Sequence, residues 1–307
     1  MAENGEPLLN KQEHHENCEA CKIEKLKESS NGIPLKLLFL VWIVTLAAAL
    51  PISSLFPFLY FMIRDFGIAK REEDISYYAG YVGSSFMLGR ALTSLLWGMV
   101  ADMYGRKPVI IIGTVTVVIF NTLFGLSVNF WMAISTRFLL GSLCGMLGPM
   151  RAYAAEICRK EHQALGMSVI STSWGIGLII GPAVGGFLAQ PAEKYPHIFS
   201  RESLFGRFPY FLPCLVISIF AFVTVILSYW LPETLHMHGE KNIGQDVKEA
   251  ALESNMDEPI GSQKTEVSVL SSCVPQKSLL KNWPLMSAII VYCVFQLHDM
   301  AYSEVTS

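Results

Sequence analysis

The sequence is poor in charge, since Asp, Glu, Lys and Arg make up only 16% of its 307 residues, whereas 52% are hydrophobic. A net charge of −3 leaves no uniformly basic surface of the kind that nucleic-acid binding requires. Cysteine is also sparse, and most of the seven residues stand singly inside apolar segments, where a thiol usually acts as a small hydrophobe. The composition therefore excludes a nucleic-acid-binding protein and a disulfide-stapled domain.

Signatures of enzymes are missing as well. The sequence contains no Gly-x-Ser-x-Gly nucleophile elbow, no His-Glu-x-x-His pair and no glycine-rich loop of the kind that cradles phosphate. These absences argue against the alternative of a membrane enzyme. We therefore expect a protein that is not an enzyme.

Long apolar blocks are what the sequence has in abundance. A helix needs about 20 apolar residues to cross a hydrocarbon core roughly 30 Å thick. Six blocks reach that length, which predicts spans at about 36 to 62, 78 to 100, 107 to 129, 131 to 155, 165 to 189 and 208 to 231. A seventh span begins near Trp283. The first block is too long for a signal peptide and lies behind about 35 polar residues.

The polar segments divide the chain into four regions. Lys and Arg are more frequent on the N-terminal segment and on alternate connections, which predicts a cytosolic N-terminus. The sixth connection is rich in Glu, Ser, Lys and Gln and predicts a disordered cytosolic linker. The fold class is thus an all-α membrane protein with a six-helix bundle, a linker and a seventh, terminal helix. The predicted regions are a polar tail with a C-x-x-C pair at 1–35, the bundle at 36–231, the linker at 232–282 and the start of a second bundle at 283–307.

A motif of glycine, acidic and basic residues closes the second predicted span, in the segment WGMVADMYGRKPV. The pattern G-x-x-x-D-x-x-G-R-K is formed by Gly98, Asp102, Gly105, Arg106 and Lys107. We expect Gly98 to let two helices approach closely and Asp102 to accept bonds from a helix N-terminus or a basic side chain. Gly105 would permit a tight turn, and the basic pair would anchor the cytosolic face. Five fixed positions favour a gating motif over an ordinary loop.

A second motif fills the fifth predicted span, SVISTSWGIGLIIGPAVGG. Glycines recur every four residues there, which places them on one helical face, and a proline frees a backbone carbonyl. The pattern S-x(8)-G-x(3)-G-P-x(2)-G-G indicates a packing face and is long enough to indicate more than packing. Its residues are Ser168, Gly177, Gly181, Pro182, Gly185 and Gly186.

These two motifs resemble the loop signature and the antiporter signature of the major facilitator superfamily, and RFLLG at Arg137–Gly141 is similar to its fourth-helix motif. The N-terminal C-x-x-C, PETLH at Pro232–His236 and CVFQLHDMAYSE in the seventh span resemble plant zinc-induced-facilitator-like transporters. The resemblance covers essentially the whole chain. It implies twelve spans in two halves, so nearly all of the second half is missing from this sequence.

The resemblance also implies a function: proton-coupled antiport that exports a small organic solute. Metal chelators of the nicotianamine and phytosiderophore kind are the solutes it suggests, with organic anions or potassium as alternatives. The vacuolar or the plasma membrane would house such a protein, with the lipid bilayer, the solute and protons as its partners. The competing hypothesis is a truncated product that does not transport and associates with a full-length relative.

Two arginines lie deep within predicted spans, where a charge costs at least about 2.5 to 3.5 kcal/mol. Arg90 is close to the middle of the second span, and Arg137 lies about six residues, or roughly 9 Å, inside the fourth. Each is a functional candidate, with a structural arginine bonded to carbonyls as the alternative. By resemblance, Arg137 would take part in proton coupling by shifting the pKa of a nearby acid.

Few acids lie at membrane depth to serve as that partner. Asp299 and Glu304 in the seventh span could both border a cavity, and Asp299 is the predicted titrating group. Glu156, at the inner end of the fourth span, is interpreted as an interfacial charge or as a partner of Arg151 or Arg159.

The N-terminal tail carries the stretch HHENCEAC, formed around His14, His15, Cys18 and Cys21. Closed zinc sites usually require two ligand pairs, and only one is present locally. We therefore expect no structural metal and no cofactor, but a labile zinc contact on the tail that senses or regulates.

Overall fold

The computed structural model describes residues 21–23, 25, 33–200, 202–235, 287, 291 and 294. The chain divides into two compact units, Met1–Asp246 and Val247–Ser307, and the helices below belong to the first. Of the predicted seventh span, Ser287, Val291 and Val294 are described, and each is helical. Several sequence predictions fall outside the described residues: His14, His15, Cys18, the linker beyond Leu235, Asp299 and Glu304.

Helices make up most of the described part of the chain, and no strand occurs in it. This confirms the all-α prediction. A short 3₁₀ turn at Lys160–His162 precedes the seventh helix. The helices are α1 Leu35–Ser53, α2 Phe56–Asp65, α3 Glu72–Tyr104, α4 Arg106–Gly125, α5 Phe130–Leu143, α6 Leu147–Ile157, α7 Gln163–Leu188, α8 Pro191–Lys194, α9 Leu204–Arg207 and α10 Phe211–Ser228.

Five helical segments in the described residues are long and apolar enough to cross a membrane, where the sequence predicted six. The difference is α3, which contains the predicted second span and has 33 residues, a length of about 50 Å. Glycine, serine and tyrosine make the first half of α3 less hydrophobic than the other spans, which is part of the reason that it does not qualify. The segments that qualify are Leu35–Asp65, Arg106–Gly125, Phe130–Ile157, Lys160–Leu188 and Phe211–Ser228.

The fourth span is broken, although the sequence predicted one continuous span there. The helix stops at Leu143 and restarts at Leu147. In an unbroken helix the Ser142 carbonyl would accept from the amide four residues on. It accepts instead from Thr93 Oγ1 at 2.7 Å and from Trp97 Nε1 at 2.8 Å, so α3 satisfies the group that the break exposes.

The first span is broken in the same way. Helix α1 ends at Ser53, and α2 begins at Phe56. The carbonyl of Pro51, within the last turn of α1, accepts a hydrogen bond from Arg137 Nη1 at 2.9 Å. A side chain from α5 thus replaces a backbone donor at the end of α1.

Packing is dominated by three helix pairs: α3 with α5, α4 with α10, and α1 with α7. The α3–α5 pair is especially close because two glycines face the partner backbone. A Cβ added at Gly141 would collide with the Phe86 carbonyl, and one at Gly89 would collide with the Phe138 carbonyl. Glycine is therefore required at this crossing for steric reasons.

Substituting Gly141→Ala is expected to push α3 and α5 apart and to destabilise the bundle by about 1–3 kcal/mol, as overpacking does elsewhere. Thermal unfolding of the chain in detergent measures this. Gly80→Ala is the matched control, because an added Cβ there meets nothing within 4 Å. Equal unfolding temperatures for the two variants would contradict the packing argument.

Candidate functional site

The glycines of the antiporter-like motif form the surface on which α1 lies. A Cβ at Gly177 would lie 2.6 Å from the Cβ of Ala49, and Cβ atoms at Gly181 and Gly185 would collide with Ser53 and Ser54 respectively. Ser53 Oγ also donates to the Gly177 carbonyl at 2.8 Å. The structure therefore shows the packing face that the four-residue spacing indicated.

Other residues of that motif pack less closely. A Cβ at Gly186 would make only ordinary contact with Pro57, at 3.7 Å. Ser168 is exposed and donates to the Ala164 carbonyl of its own helix at 2.9 Å. Pro182 lies inside α7, which continues to Leu188.

Arg137 is the largest fully buried side chain in the described bundle, with 1% of its surface exposed. Its Nη1 donates to the Pro51 carbonyl, and its guanidinium carbon lies 3.8 Å from the centre of the Phe124 ring. Within the described residues, Nε and Nη2 have no hydrogen-bond partner. The arginine thus has a structural bond and also two buried donors, which are costly to leave unsatisfied.

At one end of the bundle, Asp102, Arg106 and Glu156 join three helices. Asp102 pairs with Arg106, whose Nη2 lies 3.2 Å from Glu156 Oε1. Asp102 thus has the basic partner that the sequence predicted, and Glu156 holds the same arginine from α6. By contrast, a Cβ at Gly98 would meet no atom within 4 Å, so the close helix approach predicted there is wrong for the described residues.

The sequence analysis missed Glu233, which caps the same corner from the segment after α10. Its carboxylate accepts from the backbone amides of Arg106 at 3.0 Å and Lys107 at 3.1 Å, the first two residues of α4. A carboxylate at a helix N-terminus satisfies free amides and complements the helix dipole. The signal in the sequence was an acid directly after Pro232, a residue that cannot continue a helix.

Gly105 makes room for this cap. Its φ of 105° and ψ of 162° lie in a region that residues with a side chain rarely adopt. An added Cβ would also lie 2.5 Å from Glu233 Oε2. Thr234 closes the cluster by donating to Glu156 Oε2 at 2.6 Å. The predicted tight turn at Gly105 is therefore present, and it serves the approach of a remote carboxylate.

A cleft of about 290 Å³ runs from this corner toward the middle of the bundle, between α3 and the start of α6. Residues of α3 line one wall and the first turn of α6 lines the other. Arg90 lies at the inner end, Asp102 and Arg106 at the outer end. Asp102 and Arg106 of the loop motif therefore share one cavity with Arg90.

The opposite end of the bundle is tied by a different acid. Tyr210, just before α10, donates its hydroxyl proton to Asp65 at the end of α2. Burial, followed by the nearby Asp65 carboxylate, raises the pKa of Tyr210 above its ordinary value, so the hydroxyl stays a donor.

Metal-binding side chains are dispersed in the described part of the chain, where no group of three His, Cys, Asp or Glu residues could hold a metal ion. Cys21, one of the four tail candidates, is described and buried. The labile zinc contact therefore stays a prediction.

Comparison with known proteins bears on the whole chain. The sequence profile of the Major Facilitator Superfamily matches residues 41–305. Protein ZINC INDUCED FACILITATOR-LIKE 1 of Arabidopsis thaliana is 60% identical over all 307 residues, and Protein ZINC INDUCED FACILITATOR 1 of the same plant is 59% identical over 98% of the chain. The chain spans only 62% and 61% of the lengths of these two relatives.

Solved structures agree on the architecture. The human organic anion transporter MFSD10 (TETRAN) matches with a TM-score of 0.54 at 19% identity, over 67% of this chain and 50% of that one. A D-xylose-proton symporter matches with a TM-score of 0.55 at 13% identity, over 71% and 53% of the two chains. At such identities the likeness concerns the fold alone, and it confirms the predicted fold class.

Removing the cap with Glu233→Ala is expected to destabilise the bundle by about 1–2 kcal/mol, because two amides at the start of α4 lose their acceptor. The stability of Glu233→Gln should lie between those of the unsubstituted chain and Glu233→Ala, since a neutral amide oxygen still accepts hydrogen bonds but carries no charge. Thermal unfolding in detergent is the measurement, with Glu202→Ala in an exposed connection as the control. Unchanged unfolding of Glu233→Ala would show that water satisfies these amides equally well.

Proposed function

The chain belongs to the Major Facilitator Superfamily, a family of multi-pass membrane transporters, and from this we propose that it takes part in proton-coupled export of a small organic solute such as a metal chelator. Membership in this family agrees with the prediction of a transporter in place of an enzyme. The finer statement, on proton coupling and solute, rests on the arguments below.

Buried Arg137 is the observation that carries the proposal. Arginine stays charged at all relevant pH values, so hydrogen-bond acceptors must offset the free-energy cost of burying its guanidinium in the bundle. Pro51 and Phe124 occupy part of its surface, and two N–H donors have no partner among the described residues. A carboxylate reaching those donors would be stabilised as an anion, and it would take up a proton once it moved away. We propose Asp299 as the titrating acid of the chain, with Glu304 as a second candidate.

The cytosolic corner supports a rocking mechanism. Asp102, Arg106 and Glu156 hold α3, α4 and α6 together through charged bonds. Such bundles move as rigid bodies about a central site, and a second bundle must face the first for this to happen. The motif would contribute by keeping the ends of these three helices together while the bundle moves.

The solute class is supported by the names of two relatives. Both proteins, from Arabidopsis thaliana, are named zinc-induced facilitators. A small organic chelator of zinc is the solute that these names favour. We propose such a solute, moved across the vacuolar or the plasma membrane.

Orientation is supported by the basic residues of the described bundle. Arg106 and Lys107 begin α4, and Arg159 and Lys160 follow α6. The ion pair of Arg106 with Glu156 brings these two connections to the same end. By the positive-inside tendency this end is cytosolic, together with the N-terminus.

Replacing Arg137→Gln is expected to lower gradient-driven solute flux about tenfold or more, because the charge that would stabilise the carboxylate is gone. Arg137→Lys should keep part of the flux, since it keeps the positive charge but lacks the planar guanidinium group. Flux into vesicles containing the chain is measured with and without a pH gradient. The vesicles are those in which the proposed cytosolic end faces outward, so that uptake corresponds to export from the cytosol.

Equal flux with and without the gradient in the unsubstituted protein would rule out proton coupling. Thermal unfolding of each variant separates loss of function from loss of fold. Co-purification tests the competing proposal: capture of a full-length relative together with absence of flux by this chain alone would favour a partner role.

The tail provides an independent prediction. Replacing Cys18→Ser and Cys21→Ser together should leave membrane insertion and unfolding temperature unchanged, because the bundle satisfies its own backbone in lipid. The response of flux to added zinc should be lost, since the two thiolates would be its ligands. Loss of folding in the double variant would contradict a labile, regulatory contact.

A further inference from the structure

We propose that the cleft between α3 and α6 binds a carboxylate of the transported organic anion, with Arg90 as the side chain that contacts it. This inference rests on the proposed export function and assigns that function a binding residue and a charge class. Four features of the described residues carry it: a fixed opening, an unbalanced charge, free space and position.

The opening is fixed by α3 itself. Thr93 and Trp97 bind the Ser142 carbonyl where the fourth span is broken, so the first turn of α6 is set away from α5. Gly145 packs under the Trp97 ring, and a Cβ there would collide with it. The cleft is therefore held open by hydrogen bonds and packing within the bundle.

The charge in the cleft is unbalanced. Arg106 has Asp102 and Glu156 as partners at the outer end. Arg90 lies at the inner end, half-buried, and among the described residues no acidic side chain forms an ion pair with it. An arginine at this depth without an acidic partner favours an anionic ligand.

The space suits a small organic acid. The cleft measures about 290 Å³, at the lower end of the range for small-molecule sites. Three glycines border it, and Cβ atoms added at two of them, Gly98 and Gly148, would meet nothing within 4 Å. These two positions leave room for a ligand.

Position distinguishes this arginine from the others. Arg90 is 18 residues from the start of α3 and 14 from its end. Solute sites in secondary transporters lie near the bilayer midplane and are lined by interrupted helices. The inner end of the cleft combines that depth with the interrupted fourth span.

The test measures binding directly and needs no proton gradient. The full 307-residue chain is placed in nanodiscs of phosphatidylcholine alone, so that no anionic lipid headgroup competes for Arg90. Citrate is the probe at neutral pH, and its trimethyl ester is the uncharged counterpart. Titration calorimetry should detect citrate and show little binding of the ester.

Arg90→Gln should weaken citrate binding about tenfold or more, because a charge-assisted bond is lost. Arg90→Lys should stay within about threefold of the unsubstituted chain, since the charge remains. Gly148→Val should also weaken binding by filling the cleft without altering charge. Arg64→Gln, at an exposed arginine on α2, is the control and should change nothing.

Two results would overturn the inference: citrate binding that Arg90→Gln leaves intact, or equal binding of citrate and its ester. If Arg90→Gln fails to fold, as judged by gel filtration, Arg90→Lys and Gly148→Val decide the question. Citrate binding that depends on Arg90, together with flux that does not depend on the gradient, would contradict proton coupling but support the site. Gradient-driven flux together with citrate binding that does not depend on Arg90 would contradict only the site.

Discussion

Backbone hydrogen bonding in a medium without water is the constraint on which this bundle depends. Every interrupted helix within hydrocarbon exposes carbonyls that the protein itself must satisfy. The two interruptions here are satisfied by side chains from other helices: Arg137 binds the Pro51 carbonyl, while Thr93 and Trp97 bind the Ser142 carbonyl. The residues closest to the proposed chemistry are thus also the ones that allow the helices to break.

This dual role explains how the interior can be both rigid and open. The glycine contacts of α3 with α5 and of α7 with α1 bring backbones close enough for side chains to reach across. Where a break then turns a helix aside, space remains that no neighbour fills, as between α3 and α6. Close packing in one place therefore creates the cleft in another.

The sequence predicted the helices and their motifs well because hydropathy and glycine spacing are local signals. It predicted the packing role of Gly177 and the turn at Gly105, and both are found. It missed the break after Leu143, although Gly145, Gly148 and Pro149 follow it closely in the sequence. The side chains that satisfy the exposed carbonyl lie on α3, so local sequence does not show them. It also missed Glu233, whose partners are more than a hundred residues away. It placed a close helix contact at Gly98, where the neighbouring space is empty.

The Glu233 cap has a consequence for how the protein is made. Arg106 precedes its acceptor by 127 residues, so the ribosome completes α4 long before the carboxylate that caps it exists. During that interval the amides at the start of α4 lack this acceptor and are left to water. Only after α10 has been synthesised can the chain fold back so that Glu233 caps them. This corner of the bundle is therefore completed only after the helices from α1 to α10 have all been made.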